Sequence, residues 1–239
     1  MLRGIVIFYI LSHVYVIGNA QFGFRLKYNH QALPGWESAV QEATGSSETV
    51  LKSGYEAGVD YWFRLKKHRV EFMPELAYGY AASDITAGDL ITVNQRLNLQ
   101  QLWANMHVQL YALDFEGDCN CPTFSKQGAG INKGLFFHLS PGIGWYGAQT
   151  EYQIINSTDR YEKGGLVFRV GGGLGLDLGV SDLLTITPQI SYFITSEMNS
   201  ELGPELSQAE PVVGSYSKQI QFSLRFGFRP DYGRSGRYR

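Results

Sequence analysis

From Phe22 to Phe228 the chain alternates apolar and polar residues with a period of two, the spacing that sends successive side chains to opposite faces of a β-strand. Phe22, Phe24, Leu26 and Tyr28 share one face of a first strand, and Arg25, Lys27 and Asn29 take the other. A second strand sets Tyr55, Ala57, Val59, Tyr61, Phe63 and Leu65 against Glu56, Gly58, Asp60, Trp62 and Arg64. A third sets Val70, Phe72, Leu76, Tyr78 and Tyr80 against Glu71, Glu75 and Gly79. In the fourth, Leu102, Ala104, Met106, Val108 and Leu110 oppose Gln101, Asn105, His107 and Gln109. Just upstream, Leu97 and Leu99 fall out of phase, which predicts a β-bulge near Gln100. The pattern recurs in segments starting at Leu135, Leu166, Leu184 and Ile220. Eight strands are expected, an even number.

The links between these segments alternate in length. Lys66 to Arg69 and Val180 to Leu183 are short, whereas Gln31–Gly54, Ala81–Gln100, Gly147–Gly165 and Glu197–Tyr216 are long and polar. Short turns at one end and long loops at the other are the plan of an outer-membrane barrel with its turns in the periplasm. A long turn, 113–134, joins strands four and five on the short-turn side and breaks the alternation. Pro74, Pro141 and Pro188 each sit early in an odd-numbered strand. Because proline removes a ladder donor, each position is expected to host a bulge or a rim.

The first twenty residues follow the plan of a secretory signal, with Arg3 as the positive end and small residues Gly18-Asn19-Ala20 before the cleavage point. The apolar stretch Gly4–Ile17 is shorter than the roughly 20 residues a helix needs to cross a bilayer. Residues 1–20 therefore read as a cleaved signal, 21–228 as the barrel and 229–239 as a basic periplasmic tail. Composition narrows the picture further. The chain has 239 residues, 28 of them Gly, and 14% aromatics, which suits strands, tight turns and aromatic girdles. A formal charge of −2 excludes a nucleic-acid protein working through bulk electrostatics. Two cysteines exclude a disulfide-stapled miniature domain and a four-cysteine zinc site.

Alternation alone does not say which face is outside. A soluble lipocalin-like carrier would turn its apolar face inward, around a ligand; a membrane barrel would turn it toward lipid. The polar face is rich in glycine (Gly58, Gly79, Gly142, Gly144, Gly171, Gly173, Gly175, Gly227), as a narrow interior requires and a solvent-facing surface does not. Tyr78, Tyr80, Trp145, Tyr146 and Tyr192 gather near strand ends, where interfacial girdles sit. The all-β, eight-stranded antiparallel up-and-down transmembrane barrel is thus the expected fold, with outer-membrane lipid as its surroundings. Its lumen would hold Arg25, Lys27, Arg64, Arg169 and Arg225 against Glu56, Asp60, Glu71, Glu75 and Asp177. Unpaired charges in so narrow a space are costly, and the balance of five against five points to a closed, ion-paired interior.

The signal end Asn19-Ala20-Gln21, the eight segments and the closing Phe222-Ser223-Leu224-Arg225-Phe226-Gly227-Phe228 resemble the small outer-membrane β-barrels of Bacteroidota, similar to OmpX, OmpA-barrel and PorT-like proteins. The resemblance covers nearly the whole mature chain. It implies outer-membrane localisation, assembly through the terminal aromatic strand, no cofactor, and, for the PorT-like members, a tie to secretion.

Three segments invite a chemical reading. The long turn carries Cys119 and Cys121 beside Asp118. Two thiolates and one carboxylate are too few for a closed zinc site, and Cys-x-Cys is not the redox spacing Cys-x-x-Cys. A strained local disulfide and a surface for docking a protein partner both remain. His138-Leu139-Ser140 is similar to the His-x-Ser of lipid A deacylases, which are also eight-stranded barrels. Here the pair falls on the inward parity, near the periplasmic end, with Pro141 following where that pattern has asparagine. A lumen histidine bonded to its neighbours is the plainer reading. Gly171-Gly172-Gly173-Leu174-Gly175 has no helix after it to present amides to a phosphate, and reads as a stripe relieving crowding inside a barrel. The expectation is a non-enzymatic barrel acting as a structural or accessory subunit of an envelope complex. A lipid-modifying barrel enzyme and a soluble carrier are the rivals.

Overall fold

The structure, a computed structural model, describes residues 21–44, 49–64, 70–87, 93–111, 134–154, 157–181, 184–201 and 212–228. The signal 1–20, the cysteines Cys119 and Cys121, and the tail 229–239 lie outside the described residues.

Among the described residues, twelve strands and one helix follow one another: β1 (Phe22–Ala32), α1 (Pro34–Thr44), β2 (Ser53–Tyr61), β3 (Phe63–Arg64), β4 (Val70–Ala87), β5 (Val93–Tyr111), β6 (Leu135–Ile154), β7 (Ser157–Leu176), β8 (Leu178–Gly179), β9 (Leu184–Thr195), β10 (Met198–Glu201), β11 (Val212–Ser215) and β12 (Lys218–Phe228). β3 continues β2 and β8 continues β7, so the barrel has eight staves, all antiparallel to their neighbours. It closes where β1 meets β12, from Phe22 opposite Phe228 to Ala32 opposite Lys218. Closure satisfies every edge, which an open sheet in hydrocarbon could not do.

The two faces sort cleanly. Leu174 is 41% exposed and Phe222 50%, while Asp60 and Arg169 are 4% and 3% exposed. Among the described residues, the outward face carries no charge between an aromatic band at the turn end (Phe22, Tyr61, Phe63, Phe72, Phe228) and one at the loop end (Tyr28, Tyr55, Tyr80, Trp145, Tyr192). Such a belt belongs in a bilayer, and a closed barrel is the sheet that can stand there. No described helix is long and apolar enough to cross a membrane; the strands do it. The protein is an outer-membrane barrel.

The prolines act differently from expectation. Between β4 and its neighbour, Phe63 pairs with Phe72 in the same register in which Asp60 pairs with Glu75, so no residue is inserted at Pro74. Pro74 instead leaves a rung unmade, and this gap is what separates β2 from β3 at Trp62. Pro188 splits β7 from β8 at Asp177 in the same way, and Pro141 opens the β5–β6 ladder beside His107. The expected bulge near Gln100 is also absent, because β4 and β5 pair in one register from Val70–Leu110 to Ala87–Val93. Leu97 and Leu99 are in phase with Trp103 and point inward. The interior there has simply become apolar.

That change has a cause in the first loop. Leu33, just before α1, and Trp36 and Val40 on one face of it are buried inside the loop end of the barrel with Leu51, Ile85, Leu97, Leu99, Val167 and Met198. Pro34 starts the helix, and the Leu33 carbonyl accepts the first turn's bond from the Glu37 amide at 2.9 Å. Leu51 returns the chain to β2 in a left-handed conformation, φ 52°, with its side chain in the same core. Three further links expected to be long polar loops are also built. β4–β5 and β6–β7 continue above the belt as paired hairpins, the second up to Ile154 opposite Ser157. The last loop carries the hairpin β10–β11. It packs on α1: the Trp36 indole donates to the Val213 carbonyl at 3.0 Å, and the Gly35 amide to Ser215 Oγ at 3.0 Å. A Cβ at Gly35 would run into the Gly214 carbonyl, so this approach needs glycine. Tyr146 belongs to this inner core and not to a girdle; its hydroxyl accepts from the Asn199 amide at 2.7 Å.

Candidate functional site: the charged lumen

Below the apolar cap, the inward positions of all eight staves meet in one network. Nearest the turn end, Arg225 forms a forked pair with Asp60, Nε to Oδ2 at 2.7 Å and Nη2 to Oδ1 at 2.5 Å. Gly23 faces both groups, and a Cβ there would lie 2.6 Å from Arg225 Nη2 and 2.7 Å from Asp60 Oδ1. The glycine makes room for the ion pair.

At the same end, the Tyr111 hydroxyl faces Asp177 Oδ2 at 2.6 Å, Gln109 Oε1 at 2.9 Å and Glu71 Oε2 at 3.1 Å. It has one proton to give, and Asp177 is the nearest acceptor. Thr187 donates to the other Asp177 oxygen at 2.5 Å, across the gap that Pro188 leaves in the ladder.

Midway up, Lys27 bridges two acids, donating to Glu56 Oε1 at 2.5 Å and Glu75 Oε2 at 2.8 Å. Glu75 also receives Asn105 at 3.1 Å and faces His107 Nε2 at 2.7 Å. Arg25 lies between acids, 3.6 Å from Asp60 and 3.8 Å from Glu75. Arg169 closes the network from the far wall, its two amino groups donating to the two Glu56 oxygens at 2.9 and 2.8 Å and its Nε to Asn105 at 2.9 Å. The same guanidinium lies 4.1 Å from the Trp103 ring centre and 5.0 Å from that of Phe193. Arg169 therefore marks the boundary between the ionic lumen and the apolar cap.

Of the ten charged residues read from the sequence, nine are buried in this interior: Arg25, Lys27, Glu56, Asp60, Glu71, Glu75, Arg169, Asp177 and Arg225. Arg64 pairs with Glu71 through the backbone of β3 and β4, and its side chain lies outside the described residues. Sequence reading missed Tyr111, Asn105 and Thr187 as partners of the acids. Their inward parity was the available signal. It also missed the helix in the first loop, although Leu33 comes just before a starting proline, Pro34, and Trp36 and Val40 follow it four residues apart on one helical face.

His138 and Ser140 are not joined as the deacylase likeness would have them. His138 is held by Gln189 at 2.8 Å and Ser191 at 3.1 Å. Ser140 is instead hydrogen-bonded to His107 Nδ1, in the opening that Pro141 leaves between β5 and β6. With the proton on Nε2 toward Glu75, Nδ1 accepts from the serine. Glu75, His107 and Ser140 thus form a relay in outline, but Ser140 is 0% exposed and faces the lumen. No group of three or more metal-binding side chains is found among the described residues.

No protein-family model matches the chain, and no curated protein matches it. Solved structures do. Ail, the attachment invasion locus protein of Yersinia pestis, crystallised with the heparin analogue sucrose octasulfate, is 10% identical, with a TM-score of 0.43 over 87% of this chain and 99% of its own. OprG of Pseudomonas aeruginosa is 12% identical, with a TM-score of 0.37 over 86% and 95%. Neisserial surface protein A is 10% identical, with a TM-score of 0.36 over 85% and 95%.

Proposed function

We propose that this barrel is a non-enzymatic structural or accessory subunit of a cell-envelope assembly. The supporting observation is the way the interior is used. Charged side chains of five staves are spent on one another, and α1 with the β10–β11 hairpin fills the loop end. A barrel packed in this way offers lipid an apolar wall and offers solutes no obvious path. What is left for function is its loops, turns and outer wall. The resemblance of the terminal strand and the eight segments to barrels of Bacteroidota, PorT-like ones among them, directs the search toward secretion or assembly complexes. The long turn 113–134, with Cys119 and Cys121, is the proposed docking surface for a protein partner on the periplasmic side.

The test is purification in mild detergent followed by mass spectrometry, on wild type and on a variant lacking Gly117 to Gly128. A partner that accompanies the wild type and is lost from the variant, while the variant still inserts, supports the reading. A wild-type barrel that always purifies alone sinks it.

The relay of Glu75, His107 and Ser140 favours a second reading, a lipid-modifying barrel enzyme. Burial of the serine within the lumen, away from the lipid wall, weighs against it.

A further inference from the structure

We propose that the outer wall over β12, β1, β2 and β4 seats a phosphorylated, multiply acylated glycolipid of the outer leaflet. The wall there is not flat. Ala57 lies opposite Leu26 on one side and Tyr78 on the other, and its short side chain leaves a groove of about 580 Å³. Tyr28, Tyr55, Tyr80 and Phe222 rise around it. The groove crosses three strand spacings, about 14 Å, and is wider than one hydrocarbon chain.

Its loop end leads to two lysines and an imidazole. His30 is the next outward residue after Tyr28, and Lys218 caps β12 two outward positions beyond Phe222. Lys52 precedes β2, and its carbonyl accepts from the amide of Gln31, the residue after His30, at 2.9 Å. Lys218 is in turn opposite Ala32. The three residues therefore span about two strand spacings, roughly 10 Å, and all are exposed. None has a carboxylate partner among the described residues. Elsewhere on the same rim the cations are paired: Arg96 with Asp84 at 3.9 Å, Arg160 with Glu162 at 2.9 Å, and Lys163 with Glu201 at 3.3 Å.

An apolar groove topped by two lysines without a carboxylate partner among the described residues, one of them 5.4 Å from the centre of the Tyr216 ring, is complementary to a lipid with an anionic head. The spread of Lys52 and Lys218 suits two separated phosphates on one head better than a single phosphodiester. Several chains on one head also suit the groove's width. The tyrosine rings at the border, where an apolar body meets a polar rim, fit the junction of acyl chain and sugar.

The experiment is native mass spectrometry of the full-length detergent-solubilised barrel, titrated with bisphosphorylated lipid A, its fully dephosphorylated form, and phosphatidylglycerol. The variants are Lys52→Gln with Lys218→Gln, which touches only rim residues, and Ala57→Phe, which fills the groove. Retained heat-modifiable migration shows that each variant is folded. The expected result is binding of bisphosphorylated lipid A about tenfold tighter than either other lipid, with a loss of about tenfold in the lysine variant. The proposal is overturned if phosphatidylglycerol or the dephosphorylated lipid binds wild type as well, or if the folded lysine variant binds within about twofold of wild type. Should Ala57→Phe fail to fold, the lysine variant alone decides.

Discussion

Arg169 and Glu56 lie 113 positions apart in the chain, yet their side chains meet through two parallel hydrogen bonds of 2.9 and 2.8 Å across the lumen. The pair ties β7 to β2, staves that share no ladder. Both partners are fully enclosed, where a forked guanidinium–carboxylate pair is strong and a lone member is costly.

Removing one member should therefore cost more than removing both. Glu56→Ala leaves Lys27 and Arg169 facing each other without their shared acid, and a loss of about 3–5 kcal/mol is expected. Replacing Glu56 and Arg169 together by apolar residues of similar volume should cost less than the single change. Urea unfolding in detergent micelles, followed by tryptophan fluorescence and heat-modifiable migration, measures both. Equal losses in the single and double variants would contradict the pairing.

The lipid wall makes an independent prediction. Leu224 faces outward between Leu26 and Pro188 on the neighbouring staves. Leu224→Arg should destabilise the inserted barrel by about 2–4 kcal/mol, the cost of a cation near the bilayer midplane. Lys218→Ala, at the rim, should change stability little. A neutral outcome for Leu224→Arg in liposome refolding would mean that this face does not meet hydrocarbon.

The cap can be tested by loosening it. Trp36 is wholly buried and bonded to the Val213 carbonyl. Trp36→Ala opens a large cavity, with an expected cost of about 3–5 kcal/mol borne by the cap. Limited proteolysis should then cut between α1 and β2 well before the staves are attacked. Wild type should be silent in planar-bilayer conductance recordings; steady ion current through it would contradict a filled interior.

Ser140 discriminates the two functional readings. Its hydroxyl is buried against His107, so Ser140→Ala should leave the lipid A profile of an expressing strain unchanged, and a fluorophosphonate probe should not label the wild type. A lipid modification present with wild type and absent with Ser140→Ala would establish the enzyme.

Much of this fold can be read from alternation. Each strand's polar side could be assigned in advance, because a β-strand leaves its side chains no third direction and membrane and lumen make opposite demands. Reading failed where both faces stop obeying that contrast. Above Tyr80 and Trp145, β4 and β6 leave the belt and turn polar outward, so continuous hairpins look like loops. Leu97 and Leu99 look out of phase because their interior is a helix and not a set of charges. The prolines looked like bulges or rim positions; at Pro74 a missing donor interrupts the ladder without shifting it.

The number of staves, the two-sided character of each and the kind of residue that each side presents are all legible in the order of residues. Those properties follow from local backbone geometry, which is written residue by residue. The tertiary structure alone decided which charge answers which, that Ser140 belongs to His107 and not to His138, and that α1 occupies the top of the lumen. Such matches depend on register and closure around the whole ring, and these are set by all eight staves together.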